Sequence, residues 1–308
     1  MNWTTNITES EQGPWARIEK PLLLVILSIE MVLGILGNGL VLCVKAVCRD
    51  QFQCVHWVPF VSLTLSDFFC AVLIINGSLL AILNGGQRSP WCEVVSLFKF
   101  TFITSSIGSV ALLCIQPFLE MDSNGKRLSV ITATVCLASW LMGVVFGTVP
   151  VIYDWVRYDP SEMLCAVFWE TSYSDMLVYI LCAFSVSIFP QVLIIITCSF
   201  LTSAGYKRNS ISPADLSSVT PLLVVSYMLC YTPFAVSEMI LLARLDLSPS
   251  PEWLRTLASI MAYLDCSLNP IIYCTNQGFR EALLALLWNK RKSGFPEPVL
   301  TCMKKLEI

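Results

Sequence analysis

The chain has a single histidine, His56, among 308 residues. That excludes a multi-histidine metal site and any triad built on histidine. Charge is scarce too: Asp, Glu, Lys and Arg together make up only 13% of the residues. No soluble domain of this length needs so little polar surface. The 19 basic residues nearly balance the 22 acidic ones, which gives no sign of a nucleic-acid partner. No Cys-x-x-Cys pair occurs among the fourteen cysteines. Most of them (Cys43, Cys70, Cys114, Cys136, Cys182, Cys198, Cys230, Cys266) stand alone inside apolar runs, as small buried hydrophobes do. A nucleophile–base–acid set, a phosphate loop and a metal-ligand cluster are all missing, so the chain is not read as an enzyme. No basic segment or cleavage site precedes the first apolar run, which argues against a signal peptide. Inverted repeats and paired broken helices are missing as well, which argues against a transporter.

What is present is apolar length. Hydrophobic residues make up 56% of the chain and the mean hydropathy is +0.70. Seven apolar segments follow one another, roughly 21–47, 57–83, 91–118, 129–151, 173–201, 214–243 and 252–275. Each exceeds the ~20 residues that a spanning helix needs. Turn chemistry marks short connections at Asn84-Gly85-Gly86 and Ser123-Asn124-Gly125. The expected fold class is all-α, a seven-transmembrane-helix bundle over 21–275, with a tail at 1–20 and a cytoplasmic end at 276–308. Asn2 and Asn6 each open a glycosylation sequon and favour an outer N-terminus. Seven crossings then put the C-terminus inside. Lys45, Arg49, Lys126, Arg127, Lys207, Arg208, Arg280, Lys290, Arg291, Lys292, Lys304 and Lys305 fall on the inner side, against six cations outside. That bias obeys the positive-inside rule.

Within the helices, the third carries the most information. Residues seven apart return to nearly the same face, so Cys92, Lys99, Ser106 and Leu113 form one stripe. Lys99 lies about 10 Å below Cys92 and cannot easily snorkel out. Two readings stand: Lys99 receives a ligand carboxylate or phosphate, or it makes an internal pair with Glu238, five residues after Pro233. Glu30 is a further buried acid, read as polar packing. Asp265 and Asn269 are i, i+4 on one helix, and Asp67 lies at mid-membrane depth. Ser212, Pro213 and Asp215 form a capping signal for the sixth helix. Beyond the seventh, Phe279, Leu283, Leu286 and Leu287 take amphipathic spacing, as in a helix lying on the inner membrane surface.

Several residues in order resemble the rhodopsin-like (class A) G-protein-coupled receptors. They are Asn38 after Gly37, Asp67 in SLTLSD, Trp140, Pro190, CYTPF at 230–234, and NPIIY at 269–273 with Phe279 beyond it. The likeness spans about 30 to 290. It implies a plasma-membrane receptor that passes binding of a small ligand to a heterotrimeric G protein or another cytoplasmic adaptor, with Pro233 as the swing point of the sixth helix. It implies a disulfide between Cys92 and Cys165, both on the oxidising outer side. It implies a ligand pocket that includes Lys99, Glu238, Tyr231, Tyr263 and Ser259. The family holds a sodium ion at positions matching Asp67, Ser106, Asp265 and Asn269. The alternative there is a hydrogen-bonded polar core whose two carboxyls share a proton.

The chain departs from the family at three places. Gln116-Pro117-Phe118 replaces Asp-Arg-Tyr, Tyr231 replaces the tryptophan of CWxP, and Cys198 replaces a tyrosine. With Tyr273, the residues Gln116, Pro117 and Phe118 would face the cytoplasmic partner. Pro117 is expected to loosen the third helix about one turn early. The alternative function is a seven-helix decoy, scavenging or accessory receptor that never drives a G protein. Opsins have a lysine where Tyr263 stands, and amine receptors an aspartate where Lys99 stands. The run FITSSIGSV is similar to lipid-amide receptors of the glucose-dependent insulinotropic type.

Overall fold

The computed structural model describes residues 14–47, 57–83, 90–119, 125–159, 161–162, 164–167, 173–206, 216–243 and 250–288. In a bilayer every backbone N–H and C=O must be satisfied within the segment, so each apolar run becomes a helix. The helices are α1 (Pro14–Val47), α2 (Trp57–Phe69 and Asn76–Leu83, joined by the π-helical turn Cys70–Ile75), α3 (Pro90–Leu119) and α4 (Gly125–Ile152). Next come α5 (Tyr173–Ala183 and Phe189–Ser203, joined by the π-helical turn Phe184–Ile188), α6 (Thr220–Ala243, after the 3-10 turn Leu216–Val219), α7 (Glu252–Tyr273) and α8 (Gln277–Trp288). Among the described residues, six helices are long and apolar enough to cross a membrane alone, or seven if α7 is counted with α8. The capping signal at Ser212–Asp215 and the sequons at Asn2 and Asn6 lie outside the described residues.

The bundle is built round α3. In the most apolar window of α3, 72% of the residues are buried, against 17% for α5. The outer helices turn Leu36, Val130, Phe200 and Met239 outward, where lipid replaces protein as the apolar neighbour. In α5, Pro190 has no N–H for the carbonyl of Val186, and the π-helical turn falls at that gap. Two glycines let α4 lie directly on the α3 backbone. A Cβ on Gly143 would stand 2.6 Å from the Thr101 Cα, and one on Gly147 would meet the Leu97 carbonyl. No side chain fits in either gap.

The outer connection after α4 holds a hairpin. β1 (Val156–Asp159) pairs antiparallel with β2 (Leu164–Val167), with Tyr158 opposite Cys165 and Asp159 opposite Leu164. Four-residue strands carry too little alternation to be seen in sequence. At the other end, α8 leaves α7 at 91°. Asn276 makes that corner: its Oδ1 accepts the Phe279 N–H at 2.9 Å as an N-cap, and its Nδ2 donates to Ser218 at 3.1 Å. Phe279, Ala282 and Ala285 are buried along one side of α8, whereas Leu287 is exposed. The amphipathic face is thus rotated slightly from the stripe expected by spacing.

Candidate functional site

Three levels of polar contact run down the bundle. At the outer level, Lys99 of α3 reaches upward, and its Nζ donates to Glu162 Oε2 at 2.6 Å. Both side chains are largely buried, 17% and 18% exposed. This corrects the expected pairing with Glu238. Glu238 lies within electrostatic range of both groups, but the hairpin delivers a nearer carboxylate. The Lys99 ammonium also stands 5.9 Å from the Phe234 ring centre. The hairpin is itself fastened to the outer end of α7. Arg255 Nη1 pairs with Asp159, Nη2 donates to Ser161 Oγ at 3.3 Å, and Thr256 donates to the Ser161 carbonyl at 2.8 Å. Asp159 Oδ1 accepts the Ser161 N–H at 2.9 Å, a local turn that holds residue 161 against α7. Burial lifts the Tyr158 phenol above its ordinary range. Cys92 lies in the first turn of α3 and Cys165 on β2, but their side chains lie outside the described residues.

Beneath Lys99 is a narrow cavity of about 20 Å³, lined by Asp67, Lys99, Phe102, Ser106, Tyr231 and Tyr263 among others. That is room for about one water. Of the expected ligand residues, Lys99, Tyr231 and Tyr263 line it, and Glu238 and Ser259 do not. Ser259 is buried within the bundle. The Tyr263 hydroxyl is shared with Ser78 at 3.2 Å, and Tyr231 stacks on Tyr227 with ring centres 4.3 Å apart.

At mid-membrane, Asn269 Nδ2 donates to Asp67 Oδ2 at 2.8 Å. Ser106 borders the same cavity, with its Oγ buried and without a hydrogen-bond partner among the described residues. Asp265 stands within electrostatic range of Asp67 and also reaches α6, where Ser226 Oγ donates to its Oδ1 at 3.3 Å. The expected set of four therefore meets only in part. Neighbouring contacts pin the helices together: Asn38 donates to the Cys266 carbonyl at 2.8 Å, Ser267 to the Glu30 carbonyl at 2.8 Å, and Trp140 Nε1 to Ser62 at 3.1 Å. The Glu30 side chain itself is buried, and its Oε2 has no hydrogen-bond partner.

At the inner level, α3 runs through Pro117 to Leu119 rather than loosening a turn early. Pro117 leaves the Leu113 carbonyl without its N–H donor, but only two helical residues follow, and the one lost bond does not end the helix early. Gln116 is fully buried and donates to Thr132 of α4 at 3.2 Å, instead of facing the cytoplasmic rim. Phe118 packs against the inner core, which includes Tyr227. Tyr273 is fully buried, edge-on to Phe60 and Phe279, with Lys45 over both its ring and that of Phe60. The Lys45 contact was not foreseen, and its apolar-run context gave no signal for it. Pro233 lies inside α6 as expected.

The arrangement is that of a membrane receptor and not of an enzyme. The pattern described as "7 transmembrane receptor (rhodopsin family)" matches residues 37–273, and the chain belongs to that family of class A G-protein-coupled receptors, with a receptor's signalling role. It is 25% identical to the human (Homo sapiens) C5a anaphylatoxin chemotactic receptor 1 over 293 residues, covering 89% of this chain and 82% of that receptor. It is 24% identical to the chimpanzee (Pan troglodytes) N-formyl peptide receptor 2, over 92% and 89% of the two chains. Squid rhodopsin shares the fold at 20% identity with a TM-score of 0.71, over 94% of this chain and 91% of the other. The two receptors are named for an anaphylatoxin and for formyl peptides, not for lipid amides.

Proposed function

We propose that this receptor sits in the plasma membrane, N-terminus outside, and binds a small ligand or peptide end that carries a carboxylate. The observation that carries the reading is Lys99, a cation held two turns inside α3 among Phe102, Tyr231 and Tyr263, with a carboxylate as its partner. A buried ammonium demands an anion. The names of the relatives favour a peptide over a lipid acid, although a fatty carboxyl would meet the same demand. The Cys92–Cys165 disulfide belongs to this reading, since it would tie β2 to the first turn of α3 beside the hairpin that packs there.

The test is nucleotide exchange on a panel of G proteins, driven by a library of short peptides with free or amidated C-termini. Free-carboxylate peptides should act, amidated ones should fail, and Lys99→Met should lose more than a few-fold in potency while keeping surface expression. Peptides that act equally in both forms would sink the assignment. A second reading, a receptor that binds without driving exchange, rests on Gln116 being turned onto Thr132 where relatives place an acid beside an arginine. Binding of the same peptides with no exchange on any G protein would select it.

Asp67 and Ser106 are the residues that would hold a sodium ion. The buried Ser106 hydroxyl beside a one-water cavity fits that role, with Asp265 in electrostatic range of Asp67 and bonded through one oxygen to Ser226. Sodium should then raise the melting temperature, and Asp67→Asn should abolish the rise. If the melting temperature does not respond, the cluster is a polar core only.

A further inference from the structure

We propose that Glu162 is a built-in counter-ion occupying the seat of a ligand carboxylate on Lys99, so that the ligand binds by displacing it. This rests on the reading of Lys99 as the ligand's partner. Three observations carry the step beyond it. First, Glu162 is not on a helix of the bundle. It comes from between β1 and β2, 63 residues from Lys99 in sequence, and still reaches an amine inside α3 at 2.6 Å. Second, with Glu162 in place the space left beneath is about 20 Å³. That is room for about one water and not for a ligand carboxylate, so an anion reaching the Lys99 amine comes from the side Glu162 holds rather than from below. Third, the charges around Lys99 are already matched to an anion. Glu162 is its direct partner and Glu238 stands within electrostatic range of both. A carboxylate replacing Glu162 leaves that balance unchanged, whereas a cationic or neutral ligand strips Lys99 of its partner inside a low-dielectric bundle. The seat therefore selects for carboxylates by exchange.

Displacement also has a mechanical consequence. The residue before Glu162 is held to α7 by the Thr256 bond to the Ser161 carbonyl and by Arg255 on Ser161 and Asp159. Pulling Glu162 away from Lys99 therefore works against the outer end of the helix that carries Asp265, Asn269 and Tyr273. Binding at the seat and the position of α7 are coupled through those three contacts.

The experiment is chemical rescue of the purified full-length receptor. Glu162→Ala should lower the melting temperature in sodium chloride, by on the order of 5 °C, because Lys99 is left buried without its partner. Sodium propionate at equal ionic strength should restore most of the loss, and the wild type should melt alike in both salts. Lys99→Met/Glu162→Ala should regain stability without propionate and respond to neither salt. Equal rescue by both salts, or no loss on Glu162→Ala, overturns the proposal. If Glu162→Ala is recovered from membranes only in propionate, the proposal stands; if it is recovered in neither salt while Glu162→Gln melts like the wild type, the pair is dispensable and the proposal falls. The two readings fail separately. Propionate rescue combined with peptide potency indifferent to Lys99→Met keeps the seat but denies its use by those peptides. Potency that falls with Lys99→Met but does not rise several-fold with Glu162→Gln keeps the ligand reading and overturns displacement.

Discussion

The outer and inner halves of this bundle are held by different chemistry. Outside, Lys99–Glu162 and Arg255–Asp159 join elements far apart in sequence through full charges. Inside, Gln116 to Thr132 and the edge-on rings of Phe60, Tyr273 and Phe279 join helices through neutral contacts, with the Lys45 ammonium over two of the rings. Removing one partner of a buried ion pair costs several times more than removing a neutral hydrogen bond, because a naked charge remains. The outer half is therefore the half in which the proposed carboxylate ligand would have a charge pair to exchange. The inner half, with Pro117 where relatives have arginine, is joined by packing and neutral hydrogen bonds at the contacts named above.

The largest effect should come from the seam that both halves share. Gly143→Leu drives a side chain into the Thr101 backbone, which cannot yield. Overpacking of this kind costs about 3 kcal/mol or more, and it should abolish the monodisperse peak of detergent-solubilised receptor. Gly205→Ala provides the contrast: Gly205 has φ of +77° with nothing within 4 Å, so only backbone strain is added, about 1 kcal/mol. Equal losses would show that α4 does not lie on α3 as described.

Next in size is the outer pair. Arg255→Ala should cost about 3 kcal/mol, since Asp159 is 4% exposed and keeps its charge. Arg255→Met/Asp159→Leu should recover most of the loss in thermal melts. Additive losses in the double variant would mean that the two residues act independently. Smaller again is Lys45→Met, which keeps the packed stem and removes the cation over Phe60 and Tyr273. A loss of about 1 kcal/mol is expected. A loss as large as that of Arg255→Ala would erase the contrast between the halves.

How much of this was legible follows from what each signal can reach. Apolar length fixes the spans, and motif order places Asp67 beside Asn269, which the structure joins by a hydrogen bond. Spacing on one helix says nothing about partners on another element, so Lys99 was matched to Glu238 on α6 when the hairpin supplied Glu162. Asp265 keeps within electrostatic range of Asp67, but one of its oxygens is taken by Ser226 on α6, a partner that spacing along α7 alone does not reveal. Gln116 was misplaced because its motif position suggested a rim, whereas its burial depends on the inner end of α4, where Thr132 receives it, and spacing along α3 does not show that neighbour.

The smallest stability change, and the sharpest test of the inner half, concerns Pro117. Pro117→Arg restores the N–H that can reach the Leu113 carbonyl and places a cation where relatives have one. Because the helix ends two residues later, the regained bond is worth about 1 kcal/mol rather than the ~3 kcal/mol of a mid-helix proline. The melting temperature should therefore barely move. Nucleotide exchange should rise, but by less than about tenfold, a change in barrier of about 1.4 kcal/mol. The new cation would still lack an acid beside it, since Gln116 is committed to Thr132, and Cys198 stands where relatives place a tyrosine. Adding Gln116→Asp should change exchange further only if that residue leaves Thr132. If Pro117→Arg alone restores exchange to the level of an arginine-bearing relative in the same assay, the neutral inner half is not what limits coupling. The contrast between the two halves would then be one of stability alone.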